Sequence, residues 1–422
     1  MQIIFFEDFV TAINILINYW WLWLPALLVI TTIQGYEVFL KNKYFLSRKW
    51  ILLELRLSKD VQRTPKAAEQ IFAGLHAVFS NGLNFKDKWK DGKFFEDHFS
   101  FEIVNIEGDL HFYIKTMAGY KNLIEAQIYA QYPDAEIAEA DDYLLKLPKY
   151  LPNEQYNLWG TELALGKDDV YPIKVHPFFE EQSGMGEIKR VDPLSALFEM
   201  LNTLKPSETV IIQILVRPMG SDWVKKADEV VAKLMKRDPK AQKSNKLSKA
   251  FDLIDKAAGM ATPEKPKEKI DSSLLRLTPG EQEILTSVEK KISKLGFESG
   301  IRVIYLASKD VFSKIRVPEM MAAFKQFATE NLNFFKPYKP VTTKAKEYFG
   351  GLYAPFKKTI EFRKKQKIFM WAKERKFVEK PSILCTEELA TIYHIPTMAV
   401  QSPGLPRIEA KKSQPPEGLP IK

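Results

Sequence analysis

The chain has 422 residues, a formal charge of +9 and a hydrophobic fraction of 45%, too long for one ordinary domain and apolar enough to bury real cores. Its single cysteine, Cys385, excludes an intrachain disulfide and any CxxC zinc or redox pair, which fits a reducing compartment for the bulk of the chain. The positive charge suits nucleic acid, an anionic membrane surface or plain solubility, so its position along the chain has to decide.

Residues 1–16 read as an interfacial or extracytoplasmic segment, with Phe6, Phe9, Val10, Ile13 and Leu16 at helical spacing. No charged residue occurs from Phe9 to Tyr36, and residues 17–40 are expected to form a transmembrane helix. Tyr19, Trp20, Trp21 and Trp23 at one end and Tyr36 at the other resemble aromatic belts, and Pro25 is tolerable inside such a helix. The first basic residues, Lys41, Lys43, Arg48 and Lys49, follow the span. The positive-inside rule therefore predicts a single-pass protein of a bacterial inner membrane, N-terminus out and C-terminal bulk cytoplasmic. A cleaved signal peptide is not expected, since a basic n-region is missing.

Residues 43–145 are expected to form one domain. Trp50 to Leu57 alternates like a strand. Thr64 and Pro65 start a helix whose apolar face runs through Ala68, Ile71, Phe72, Leu75, Val78 and Phe79. Lys86 to Lys93 reads as a charged loop. His98 to Ile106 and Leu110 to Thr116, joined by Glu107, Gly108 and Asp109, read as a hairpin. A helix from Tyr120 to Gln131 and a short strand from Ala135 to Ala140 complete a β-α-β-β-α-β order, the split βαβ arrangement of ferredoxin-like domains.

A second α/β domain is expected over 150–345, giving an α+β protein overall. Asn157–Leu165, Val170–Val175, Val210–Val216 and the run around Ile301, Val303 and Tyr305 read as strands. Helices are expected from Asp192 and Pro193 to about Leu204, around Trp223 to Leu234, from Thr278 (with Pro279 and Glu281 as a capping box) to Gly296, and over Val311–Asn331 despite Pro318. The Lys-, Ser-, Pro- and Glu-rich stretch 237–277 reads as a solvated insertion carrying a short helix at Phe251–Ala258.

Catalytic motifs are not found. Gly92-Lys93 and Gly166-Lys167 lack the Ser or Thr and the upstream glycine of a phosphate-binding loop. The five histidines, His76, His98, His111, His176 and His394, show no HExxH or HxH spacing, so neither metal nor cofactor is expected. His76 is placed on a helix flank and His111 on the outer face of the hairpin. Asp141 with Asp142, and Glu180 with Glu181, read as solvated charges. Ser183-Gly184-Met185-Gly186 is a flexible turn and not a nucleophile elbow. The chain is read as no enzyme.

The remaining constellation lies in a basic helical region, 346–396, ahead of a Pro-rich tail, 397–422. There Lys357, Lys358, Arg363, Lys364, Lys365, Lys367, Lys373, Arg375, Lys376 and Lys380 interleave with Phe356, Phe362, Phe369 and Trp371. Such a helix can neutralise phosphates, lie on anionic lipid, or be a solvated helix packed by its aromatics. Thr386 is expected to cap a short helix, Glu387 to Ile395.

The stretches TPKAAEQIFAGLHAVF (64–79), FEIVNIEGDLHFYIKT (101–116), NLIEAQIYAQYPDAEI (122–137) and CTEELATIYHIP (385–396) together resemble the membrane-anchored module ahead of the motor in bacterial conjugative coupling-type ATPases, relatives of type IV secretion DNA-transfer proteins. The resemblance spans roughly 18–420 and is most specific over 64–137. It implies a membrane anchor, α/β domains below it and a place beside a hexameric motor ATPase. Those proteins continue past a Pro-rich linker like Pro415 to Pro420 into a phosphate-binding loop, whereas this chain stops at Lys422, so no ATPase residue carries over. The function expected is a non-catalytic membrane platform that recruits or positions a separate motor. The alternative is a membrane-tethered nucleic-acid-binding protein acting without one. A motor ATPase in trans is the expected partner, with DNA and a second copy of the chain as further candidates.

Overall fold

The computed structural model describes residues 18–58, 63–79, 83–182, 188–235, 277–344, 357–396 and 407–408. The expected interfacial segment 1–16, the insertion after Arg237, the turn Ser183–Gly186 and all of the Pro-rich tail but Arg407 and Ile408 lie outside them. The chain divides into two units, 1–49 with 80–96, and 50–79 with 97–422.

In the first unit, helix α1 spans Trp20–Ser47 and has apolar side chains exposed all round it, Trp20, Leu28, Ile33 and Phe39 among them. It is long and apolar enough to cross a membrane. Its 28 residues measure about 42 Å, more than the roughly 30 Å hydrocarbon layer needs. The helix thus continues beyond the expected end at residue 40 and carries Lys41 and Lys43 on its last turns. The expected charged loop 86–93 is in part a helix. Phe85–Trp89 forms a single turn and more, because Asn84 and Asp87 cap it reciprocally, with the Asn84 N–H donating to Asp87 Oδ2 at 2.9 Å. This segment lies against α1: Trp89 stacks on Tyr36 at 6.3 Å, and Lys41 Nζ sits 5.0 Å over the rings of Phe94 and Phe95.

The second unit is mixed α and β around a large, mainly antiparallel sheet. Its first strand, β1 (Trp50–Ser58), is followed by a helix, Pro65–Leu75, that begins after Thr64 as Pro at its first position directs and gives way to a 3-10 turn at His76–Val78. Strands β2 (Phe99–Ile106) and β3 (Asp109–Met117) form the hairpin. Glu107 and Gly108 both adopt positive φ, +56° and +103°, the geometry that a two-residue hairpin turn matched to strand twist requires. A helix, Lys121–Gln131, and β4 (Glu136–Ala140) follow. β4 pairs β1, β1 pairs β3 and β3 pairs β2, all antiparallel.

The second half repeats this order. β5 (Tyr156–Leu165), the helix Ser195–Asn202, β8 (Glu208–Pro218), β9 (Gly296–Ser308), the helix Arg316–Lys325 and β10 (Phe335–Pro337) give the strand order β10-β5-β9-β8. Glu180–Gln182 and Ile188–Arg190 form a separate two-stranded hairpin, β6 and β7. β8 pairs β2 from Phe99 opposite Val216 to Ile106 opposite Thr209, so the two stretches expected as separate domains share one ten-stranded sheet. β11 (Ser382–Cys385) pairs the start of β9, and β12 (Arg407–Ile408) runs parallel to the end of β1. Between β8 and β9 the helices Asp222–Leu234 and Pro279–Ile292 flank the insertion and bury Ala227 and Val288 in a small cluster with Val170.

Alternation along the strands sorts residues to two faces. Ile51, Leu53, Phe101, Phe112, Ile212 and Val303 face a large core under the helices Pro65–Leu75, Lys121–Gln131, Ser195–Asn202 and Arg316–Lys325. Leu52, Val104, Ile211, Ile304 and Leu306 face the other side, where the basic helix Lys357–Lys373 lies with Ile368, Phe369, Trp371 and Ala372 buried.

Three expected elements differ. Val170–Val175 is irregular, since Pro172 has no N–H for a ladder, and the Ile173 N–H donates to Glu388 Oε1 at 2.9 Å instead. The helix expected over Val311–Asn331 is confined to Arg316–Lys325, with Pro318 in its first turn, where a missing N–H costs nothing. The last helix, Thr386–Ile392, is capped by Cys385 and not Thr386: the Cys385 N–H donates to Glu388 Oε2 at 2.9 Å.

Candidate functional site

Six strands each place a polar residue on the same face, and register brings these residues into line. Glu162 of β5 lies opposite Arg302 of β9, Arg302 opposite Gln213 of β8, Gln213 opposite Glu102 of β2, Glu102 opposite Tyr113 of β3, and Tyr113 opposite Glu54 of β1. The row crosses six strands on the face that carries the basic helix.

One end of the row is sealed. Arg302, fully buried, donates to Glu162 Oε1 at 2.7 Å, to Gln213 Oε1 at 3.2 Å and to the carbonyls of Trp371 and Lys376 at 3.2 and 2.8 Å. Gln213 Nε2 donates to Glu102 Oε1 and to the Ala372 carbonyl, both at 3.1 Å. Arg375 closes the arrangement: Nε and Nη2 donate to the two Glu102 oxygens at 3.0 and 3.2 Å, and Nη2 to Asp142 Oδ1 at 2.9 Å. Lys115 Nζ and the Tyr143 hydroxyl donate to Asp142 and Glu102 at 3.1 and 2.7 Å. Arg302, Arg375 and Lys115 thereby balance Glu162, Glu102 and Asp142, as burial of charge demands. Burial opposes ionisation of Asp142, but Arg375 and Lys115 prevail and hold its carboxyl below the usual range. Asp142 is therefore not the solvated charge expected.

Arg375 sits where a helix usually ends in glycine. Its φ is +47°, and the Lys376 N–H returns to the Trp371 carbonyl at 2.9 Å, the closure of a Schellman turn. A non-glycine residue in this region is strained by about 1 kcal/mol, which the two carboxylates hold in place. Nearby, Gly300 of β9 lets Val378 approach so closely that any Cβ there would overlap the Val378 methyls at 2.1 Å.

The other end of the row is open. Tyr113, Glu54 and their neighbours line a cleft of about 830 Å³, together with Arg56, His111, Tyr143 and Lys146. His111 Nδ1 lies 2.8 Å from Glu54 Oε1, and Arg56 donates to Glu54 Oε2 at 3.1 and 3.2 Å. The rings of His111, Tyr113 and Tyr143 stack in series at 5.6 and 5.1 Å. Burial, and then Glu54, push the Tyr113 hydroxyl above its ordinary range. The cleft can hold a small polar group on an aromatic floor beside a carboxylate, a guanidinium and an imidazole. Its described lining contains no serine or cysteine. Cys385 is buried elsewhere, and burial pushes its thiol up, away from reactivity.

The expected site residues divide. Phe369, Trp371 and Arg375 are buried within the chain. Lys357, Lys364, Lys365 and Lys373 are half-buried, with Lys364 bound to the Thr342 carbonyl at 3.2 Å, Lys365 to Asn157 at 2.8 Å and Lys373 to the Pro148 carbonyl at 3.1 Å. Lys358, Phe362, Arg363, Lys367 and Lys376 are exposed, and Lys367 reaches Glu379 at 3.1 Å. The cleft residues Glu54, Arg56 and Tyr113 were not among the expected ones. The signal that marks them is a charge inside a strand pattern.

Residues 46–405 match the model of the family described as domain of unknown function DUF8128. The chain belongs to that family. The DUF8128 span starts in the last residues of α1 and runs past Ile395, so it takes in the row, the cleft and the basic helix and leaves out most of the membrane-length helix. No curated protein matches the chain.

Proposed function

We propose that this DUF8128 protein is a non-catalytic, membrane-anchored platform of a type IV secretion or conjugation-like transfer apparatus, one that positions a separate hexameric motor ATPase. The observation that carries this reading is the direct passage from a membrane-length helix ending at Ser47 into β1 at Trp50, the first strand of a sheet whose charged row is taken up largely in internal ion pairs. Such a body suits a rigid mount. The resemblance over 64–137 supplies the motor as partner, and the basic residues from Lys41 to Lys49 support a cytoplasmic sheet in a bacterial inner membrane.

On this reading each half of the sheet is a ferredoxin-like unit. The orders β4-β1-β3-β2 and β10-β5-β9-β8 support it, the second unit being interrupted after β8 by the insertion.

A reporter fused after Leu57 should be active in the cytoplasm, and periplasmic activity would overturn the orientation. The full chain in detergent should capture a hexameric coupling-type motor ATPase supplied in trans. Failure to do so, together with tight, salt-sensitive DNA binding, would promote the alternative, a membrane-tethered nucleic-acid-binding protein. That second reading rests on the exposed cations Lys358, Arg363, Lys367, Lys376 and Lys380.

A further inference from the structure

On the helical face of the sheet, three side chains distant in sequence converge. Glu69 comes from the helix Pro65–Leu75, His176 from the start of the 3-10 turn His176–Phe179, and Glu387 from the helix Thr386–Ile392. One ligand-type atom of each lies within 4.8 Å of the others. His176 is only 9% exposed, and its Nε2 has no hydrogen-bond partner although it points at Glu69 Oε2, 3.8 Å away. An imidazole nitrogen buried without a partner calls for explanation.

Lys294 lies against the same carboxylates, 2.7 Å from Glu69 and 2.8 Å from Glu387. One ammonium against two carboxylates leaves a single negative charge beside an imidazole nitrogen that makes no hydrogen bond. We propose that Glu69, His176 and Glu387 form a binding site for a first-row divalent cation of the zinc class, with Lys294 occupying the carboxylates when the metal is absent. One imidazole and two carboxylates are a zinc-type donor set, and coordination at 2.0–2.2 Å needs ligand atoms roughly 3.3 Å apart, a contraction of up to about 1.5 Å here. Lys294 is 26% exposed at its side chain and can turn outward to permit it. The Thr391 hydroxyl accepts from the His176 backbone N–H at 2.9 Å, which fixes the main chain that carries the ring. The metal joins the first half of the sheet unit, through Glu69, to the segment between β5 and the helix Ser195–Asn202, through His176, and to the helix Thr386–Ile392, through Glu387.

The test is titration of the metal-free full chain in detergent, with Co²⁺ followed by visible absorbance and Zn²⁺ by calorimetry. One equivalent should bind, with affinity reduced at least tenfold in His176→Ala and Glu387→Gln. Lys294→Gln, which removes the competing cation, should bind more tightly than the wild type. Zn²⁺ should raise the Tm of the wild type and leave that of His176→Ala unmoved, because only a site present in the folded state stabilises it. No saturable uptake, or uptake that none of these variants changes, would overturn the proposal.

Discussion

The two ends of the polar row are built from the same materials and differ in what lies over them. From Glu162 to Glu102 the basic helix and the turn at Arg375 roof the row, and every carboxylate there meets a guanidinium, amide or backbone donor. From Tyr113 to Glu54 that roof gives way to a cleft: Tyr143 stacks on Tyr113, and Glu54, itself nearly buried, is met by the partly exposed Arg56 and His111. Cover turns charge into architecture: a buried pair that loses one member leaves an uncompensated charge, whereas an exposed one is rescued by water.

The sharpest way to break this comparison is to remove one guanidinium from each end. Arg375→Ala should cost about 3–5 kcal/mol, read by urea unfolding of the detergent-solubilised chain, because it strands Glu102 beneath the helix. Arg56→Ala at the open end should cost less than about 1 kcal/mol, since Arg56 is half exposed. Equal losses would show that the roof is not what matters.

Acid probes the sealed end a second way. His98 Nε2 donates to the Arg375 carbonyl, 3.0 Å away, and burial lowers its pKa to about 4. The unfolded chain takes up this proton near 6.5, so the stability His98 contributes is complete above that value and is lost as pH falls towards 4. The full depression corresponds to about 3 kcal/mol before solvent screening. In His98→Gln the unfolding free energy should be flatter between pH 6.5 and 4, and an unchanged slope would remove His98 from the account.

Much of this architecture is legible in the sequence because local signals agree there. Thr278 with Glu281 caps its helix as spaced, the Thr278 N–H donating to Glu281 at 2.8 Å, and Thr278→Ala should cost about 1 kcal/mol by thermal unfolding. Strand alternation at Trp50–Leu57 and Phe99–Ile106 likewise finds its face. What sequence does not show is partnership over long separations. Glu102 meets Arg375 across 273 positions, and Glu69 meets His176 and Glu387 with no motif spacing at all. Arg375 hides within a run of exposed cations, and its only local mark is that a helix ends there without the glycine that usually ends one. The charges inside β2, β5 and β9 are the readable hint, since a lone Glu or Arg in an apolar strand must meet a partner on its face.

The smallest stability effect carries the functional choice. The basic helix has a face that packs, with Phe369 and Trp371 in the core, and a face that does not, with Arg363 and Lys367 exposed and Lys376 exposed just past its end. Charge reversal of these three should leave unfolding within about 0.5 kcal/mol of the wild type, because exposed charges contribute little. If they sit on duplex DNA, the slope of log affinity against log salt should fall by about 0.9 for each phosphate no longer neutralised, since every neutralised phosphate releases condensed counterion. A platform for a motor should instead show weak DNA affinity whose salt slope the reversal leaves unchanged. The exposed Phe362 then becomes the residue to test, because an aromatic anchor at an interface outweighs rim charges. Phe362→Ala should reduce capture of the motor by more than the triple reversal does. The opposite order, with DNA binding abolished by the reversal and capture untouched by Phe362→Ala, would move the protein to the nucleic-acid reading.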